Sequence, residues 1–339
     1  MITKRIINAA AEVSHRIDDI RQRIHRYPEL AYEEGKTSQL IACTLSDLGI
    51  PFEVGICQTG VIGMIHGNSG VDAAKHRCDS SKNRVVGLRA DMDALPILEK
   101  TNHIYSSERP GLMHACGHDG HVAILLGAAM ILSRLRDELE GDVKLIFQPG
   151  EEAGDAARRM ISEGVLRNPI VSRVFAVHLW PELPVGRIGI HYGPAMAGAV
   201  AFNIKVKGQA GHCGMPHRTI DALTIATQIV NMFQLIVSRQ TDPFDPVVLN
   251  VGLLRSGCPR NVVAEEAEIS GTVRALRKQT INKVSRTMEK ITAGVCEAFG
   301  GEYQLDWPAG VSPTVNDEFC AKIAESAAQE LFGNESIEL

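Results

Sequence analysis

VVGLRADMDALPI (85–97) opens as an apolar run and ends in two carboxylates, Asp91 and Asp93. Two later segments repeat that grammar: VKLIFQPGEEAG (143–154) ends in Glu151 and Glu152, and VFAVHLW (174–180) ends in His178. A short apolar run followed by a polar turn and a helical pattern, recurring in order, reads as α/β. In open α/β sheets ligands bind just outside the carboxyl ends of strands. Three consecutive strand ends carrying acids or a histidine therefore predict one site at one edge of the sheet.

Outward from these strands, Ile6, Ala10, Val13, Ile17, Ile20 and Ile24 recur at steps of three and four. That stripe predicts an amphipathic N-terminal helix ending before Pro28. The stretch from Gly67 to Arg84 is small and polar without a period, and reads as a surface loop. From about Ala197 the pattern becomes strand (201–207), helix (219–239), two strands (247–254 and 266–274), helix (280–299) and strand (303–307). This is the βαββαβ order of a ferredoxin-like module. It predicts an α/β domain over 1–196, with a central mixed sheet flanked by helices. The α+β module follows over 197–307, and the first domain returns over 308–339.

The 339 residues, 45% hydrophobic and 22% charged, match an ordinary globular chain of about two domains. A formal charge of -5 provides no extended basic surface, so neither nucleic acid nor an anionic membrane is expected as a partner. The first twenty residues break their apolar positions with charges, unlike a signal peptide or a spanning helix, and a cytoplasmic location is expected. Eight scattered cysteines without paired spacing argue against a disulfide framework and for buried, reduced thiols, Cys116 excepted.

Cys116 and His118 stand two apart in MHACGHDGH (113–121), ahead of a helical pattern. Thiolate, imidazole and carboxylate together suit zinc, manganese, cobalt or nickel, whereas calcium and magnesium want oxygen shells. In an extended stretch Glu151 and Glu152 would point to opposite sides, one to a metal and one to the attacking water. His121, one turn from His118, is assigned a structural role outside the ligand set.

The strings HRYPELAYEE (25–34), GLRADMDALPI (87–97), MHACGHDGH (113–121), FQPGEEAG (147–154), HLWPELPVG (178–186) and GQAGHCGMPH (208–217) follow one another along almost the whole chain. In that order they resemble the peptidase-related metal-dependent amidohydrolases, the group of hippurate hydrolases, bacterial N-acyl-L-amino acid amidohydrolases and plant auxin-conjugate hydrolases. The resemblance implies a two-metal site held by Cys116, His118, Glu152 and His178, with Glu151 as general base. It implies that the inserted module is a lid that pairs two subunits into a homodimer. Its His212 would polarise the scissile carbonyl, and Asn261 and Arg274 would handle the carboxylate of the substrate. An arginine can grip a carboxylate through two parallel bonds, as an N-acyl amino acid requires.

This chain departs from the family pattern where NVVAEE (261–266) replaces an asparagine-valine-isoleucine-proline string, and where Val200 stands at an expected aspartate. The family's last ligand histidine lies further on than Leu339, and no histidine follows His217. On that ground the chain is expected to lack the C-terminal end of the catalytic domain. The expected activity is hydrolysis of N-acyl amino acids by a metal-activated water. The rivals are a dipeptidase or carboxypeptidase on the same scaffold, and a truncated relic without turnover.

Overall fold

The computed structural model describes residues 2–67, 85–308 and 310–338. Apart from Gly67, the polar loop expected over 67–84 lies outside the described residues, as does Cys78. The chain divides into two compact units, one running to Ile188 and including Ser326–Glu338, the other Gly189–Glu325.

The first unit opens with helix α1 (Ile2–Arg26), which buries Val13, Ile20 and Ile24 of the predicted stripe. Helix α2 (Gly35–Asp47) and strands β1 (Phe52–Ile56) and β2 (Gly60–Ile65) follow. Next come β3 (Val85–Asp91), α3 (His118–Arg134), β4 (Asp142–Gln148), α4 (Ala156–Ser162) and β5 (Val171–Ala176). The five strands form one mixed sheet in the order β1-β2-β4-β3-β5. Strands β4 and β5 both run parallel to β3, and β2 runs antiparallel to β4. Parallel β3, β4 and β5 end at the same edge, which brings Asp91, Glu151 and His178 to one side of the unit. The core joins Ile41 and Leu45 of α2, Val61 of β2, Leu126 and Met130 of α3 and Leu145 and Phe147 of β4. Burying each such side chain contributes about 1.5–3 kcal/mol.

The second unit holds two short strands, β6 (Ile188–Gly189, at its start) and β7 (Gly193–Met196), then β8 (Gly198–Lys207), β9 (Gly211–His212) and α5 (Ala222–Gln240). It continues with β10 (Val247–Ser256), β11 (Val262–Val263), β12 (Glu266–Ala275), α6 (Lys278–Phe299) and β13 (Glu302–Asp306). The order β10-β12-β8-β13, antiparallel throughout, is that of a split βαβ sheet with α5 and α6 packed on it. Phe202, Ile204 and Val206 are buried while Asn203, Lys205 and Lys207 between them are exposed. That alternation leaves one face of this sheet polar.

One element was not foreseen and one expectation is corrected. The hairpin β1–β2, with Cys57 and Gln58 at positive φ in its turn, was not foreseen. Of the seven described cysteines, all free, only Cys57 and Cys296 are buried, while Cys43, Cys213 and Cys258 are exposed. Among the described residues no helix is long and apolar enough to cross a membrane.

Candidate metal centre

Gly117, at φ +83, turns the chain into α3, so that His118 becomes the first residue of the helix and is buried. Cys116 stays half-buried just outside it. The Nδ1–H of His118 donates to Asp93 Oδ1 at 3.2 Å, and the buried Nε2 has no hydrogen-bond partner. His178 follows the same rule. Its Nδ1 lies 2.7 Å from the carbonyl oxygen of Leu179 and so carries the proton, leaving Nε2, 3.6 Å from Cys116 Sγ, as a lone pair. An imidazole whose Nδ1–H is held by an oxygen presents Nε2 to a metal in the correct tautomer and orientation. The donor atoms of Cys116, His118 and His178 lie within 4.8 Å of one another, as do those of His118, Glu151 and Glu152. An orphaned buried nitrogen amid thiol and carboxylates fits a borderline divalent cation.

Electrostatics agree with the donor set. Burial opposes a charge on His118, but the bond to Asp93, the nearby Cys116 and the charges of Asp91 and Asp93 outweigh it and push its pKa up to about 11. Burial would also raise Asp91, yet the bond from His121 and the Arg89 guanidinium hold it well below the usual carboxylate range. Burial first, then the charges of Glu152 and Asp91, push Glu151 above the ordinary value. That direction suits a proton acceptor working near neutrality.

The two glutamates do not leave β4 in extended conformation, so the expected opposition of their side chains fails. The strand ends at Gln148, Gly150 adopts φ +56, and Glu151–Ala153 form a single 3₁₀ turn. Both carboxylates consequently reach the same neighbourhood as His118. Asp93 joins the two halves of the site, since its Oδ2 accepts the N–H of Glu152 at 3.0 Å while Oδ1 holds His118. His121 is fully committed: Nδ1–H donates to Asp91 at 2.6 Å, and Nε2 accepts the N–H of Leu179 at 2.9 Å. It fixes Asp91 and the residue after His178 and has no free nitrogen for a metal.

His212, Asn261 and Arg274 lie in the second unit. His212 is exposed in β9, paired with Val262 of β11, and its Nδ1 accepts the N–H of Gly214 at 3.0 Å, which leaves Nε2–H as an outward donor. The carbonyl of Asn261 accepts the N–H of Cys213 at 3.1 Å, so the two candidate residues are neighbours. Arg274 is exposed on β12, opposite Ala199 and Val248, on the face turned away from α5 and α6.

Behind His118 a buried network was not read from the sequence. His25 reaches Asp119 at 2.9 Å through Nδ1 and Glu99 at 3.3 Å through Nε2, and Arg21 also donates to Asp119. The Asp119 bond, working against burial, raises the pKa of His25; burial would raise Asp119, but His25 and the Arg21 guanidinium outweigh it and lower its pKa. A raised histidine stabilises fully below its unfolded value near 6.5 and loses that contribution as pH rises through its folded value. A lowered aspartate stabilises above about 3.9 and loses its contribution as pH falls. His25→Gln should therefore cost most between roughly pH 4 and 6.5, and the deficit should shrink as pH rises through the raised value of His25. Urea unfolding of both proteins across that range checks it, and a deficit independent of pH would contradict the charged state assigned to His25.

Residues 87–339 match the sequence model of peptidase family M20/M25/M40. The chain is 40% identical over 313 residues to the N-acyl-L-amino acid amidohydrolase of Geobacillus stearothermophilus, covering 90% of this chain and 81% of that one. It is 39% identical over 316 residues to thermostable carboxypeptidase 1 of Saccharolobus solfataricus, covering 92% and 77%. Among solved structures it resembles a dinuclear metal-binding M20 peptidase of Bacillus subtilis, with TM-score 0.77, 34% identity and coverage of 93% and 79%.

Proposed function

Since the chain belongs to peptidase family M20/M25/M40 and is a metal-dependent hydrolase of amides, we propose that its substrates are N-acyl amino acids. The observation that carries this reading is the convergence of Cys116, His118, His178, Glu151 and Glu152 donors at one edge of the sheet. Cys116, His118, Glu152 and His178 would hold two divalent ions, of manganese, zinc, cobalt or nickel. When bound, such ions polarise a carbonyl and lower the pKa of water towards about 7.

Glu151 takes the proton of the attacking water and passes it to the leaving nitrogen, because its raised pKa lets it both accept and return a proton. His212 donates its Nε2–H to the carbonyl oxygen, where charge develops; one such donor is typically worth about 2.7–4 kcal/mol. Asn261 and Arg274 receive the carboxylate of the amino acid.

The carboxypeptidase relative supports a second reading, cleavage of peptides. Purified chain supplied with manganese or zinc should release amino acid from N-acetyl amino acids and hippurate at least about ten times faster than from dipeptides with a free amine. The opposite order would replace the first reading with the second.

We further propose a homodimer formed through the module over 197–307, whose edge strand β10 exposes Val248, Leu253 and Leu254. An unprotected sheet edge with apolar side chains is a ready template for a second chain. Light scattering at micromolar concentration should give twice the chain mass, and a strictly monomeric protein would refute the dimer.

A further inference from the structure

The string HRYPELAYEE (25–34) takes no part in the donor set, yet it reaches both loops that build the centre. The carbonyl of Glu29 accepts the N–H of Ala94 at 2.7 Å, directly after Asp93. The carboxylate of Glu29 meanwhile accepts from the backbone of Lys36 and Thr37 at 3.1 and 2.9 Å, which anchors the segment to the start of α2. At the other end Glu34 is fully buried. Its Oε1 accepts the N–H of Gly150 at 2.8 Å, and its Oε2 accepts the hydroxyl of Thr59. The ring of Tyr32 fills the space beside Gly150, where an added Cβ would lie 2.8 Å from Cε1. Tyr32 itself adopts φ +66, a left-handed conformation that side-chain-bearing residues rarely take. It is held there by its hydroxyl bond to Asp155 and by the Arg159 guanidinium, 4.7 Å from the ring centroid. Gly150, two residues after the end of β4, starts at its positive φ the turn carrying Glu151 and Glu152.

We propose that Glu34 is a positioning residue for the hydrolysis: by accepting the Gly150 N–H, with Tyr32 packed against the same glycine, it sets the direction in which Glu151 and Glu152 leave strand β4. A left-handed residue at a strand end is one of several conformations open to a glycine. A buried carboxylate aimed at its N–H, and an aromatic ring closing the adjacent space, select one of them. A residue backed by unstrained loop alone would carry the two glutamates over a wider range, and misplacement of a catalytic group by about 1 Å can cost about 100-fold in rate.

The proposal rests on the reading of Glu151 as base and Glu152 as ligand, so the test includes a measurement that does not need turnover. Glu34→Ala should lower kcat by more than about tenfold with KM within about twofold, as expected when a transition-state group is displaced and substrate binding is spared. Amide exchange in the peptide spanning 149–154 should speed at least about tenfold, while that of α6 is unchanged. Glu34→Gln keeps an acceptor for Gly150 and should restore both kcat and exchange to within about threefold of the parent. Should Glu34→Ala not fold, Tyr32→Ala, which removes the ring beside Gly150, should show the same local exchange and kcat loss. Normal kcat and exchange in either alanine variant, or a Gln variant as impaired as Ala, would overturn the proposal. If the parent cleaves no N-acyl amino acid, the substrate reading fails, and the exchange measurement alone decides the positioning role.

Discussion

Glu151→Gln is expected to lower kcat by about 10²–10⁴-fold while KM and bound metal stay close to those of the parent. The amide has the shape of the carboxylate and its oxygen, but at neutral pH it does not take up the proton that the attacking water must lose. The structure gives reasons to expect the loss at this glutamate. Its carboxylate is half-buried, faces Glu152 and His118, and is raised by burial and by the neighbouring charges. A carboxylate raised in this way is a stronger proton acceptor than a fully solvated glutamate. Replacement by glutamine removes one negative charge from beside Glu152, so the ligand set loses no donor atom assigned to it. Glu152→Gln should behave oppositely, losing metal first and activity as a consequence. Elemental analysis of both variants, run beside amino acid release, separates the two roles. Turnover retained in Glu151→Gln would move the base elsewhere, and metal lost from it would make Glu151 a ligand.

Much of this site is legible in the sequence because strand ends and metal chemistry both leave local marks. An apolar run that stops at Asp91, Glu151 or His178 states where a parallel strand delivers its side chain, and MHACGHDGH displays thiol and imidazole two residues apart. What does not show is conformation set by neighbours remote in sequence. Nothing in PGEEAG says that Gly150 leaves the strand in a left-handed turn, because that turn is held by Glu34 and Tyr32 more than a hundred residues earlier. The extended reading of Glu151 and Glu152 fails for that reason. The same holds for the hairpin of β1 and β2, whose turn places Cys57 and Gln58 at positive φ without a glycine at either position. His25 likewise reads as one more residue of an amphipathic helix, and only the fold sets Asp119 and Glu99 against its two nitrogens.

Cys116→Ala should weaken metal binding by more than about 100-fold, since even losing an outer partner of a ligand costs about 10–100-fold and here the ligand itself is removed. The side chain is half-buried, close to His178 Nε2 and to His118, and it contributes little to the apolar core. Its loss should therefore leave the fold nearly as stable and act on the centre alone. A thiolate also selects among metals: it favours zinc over manganese, whereas a carboxylate in its place would favour harder ions. Cys116→Asp keeps an anionic donor and should recover metal binding with the preference moved towards manganese. Competition titrations of parent, Ala and Asp variants against zinc and manganese distinguish a ligand from a bystander. Equal zinc affinity in all three would remove Cys116 from the ligand set, and the orphaned Nε2 of His118 would then share its cation with Glu151 and Glu152.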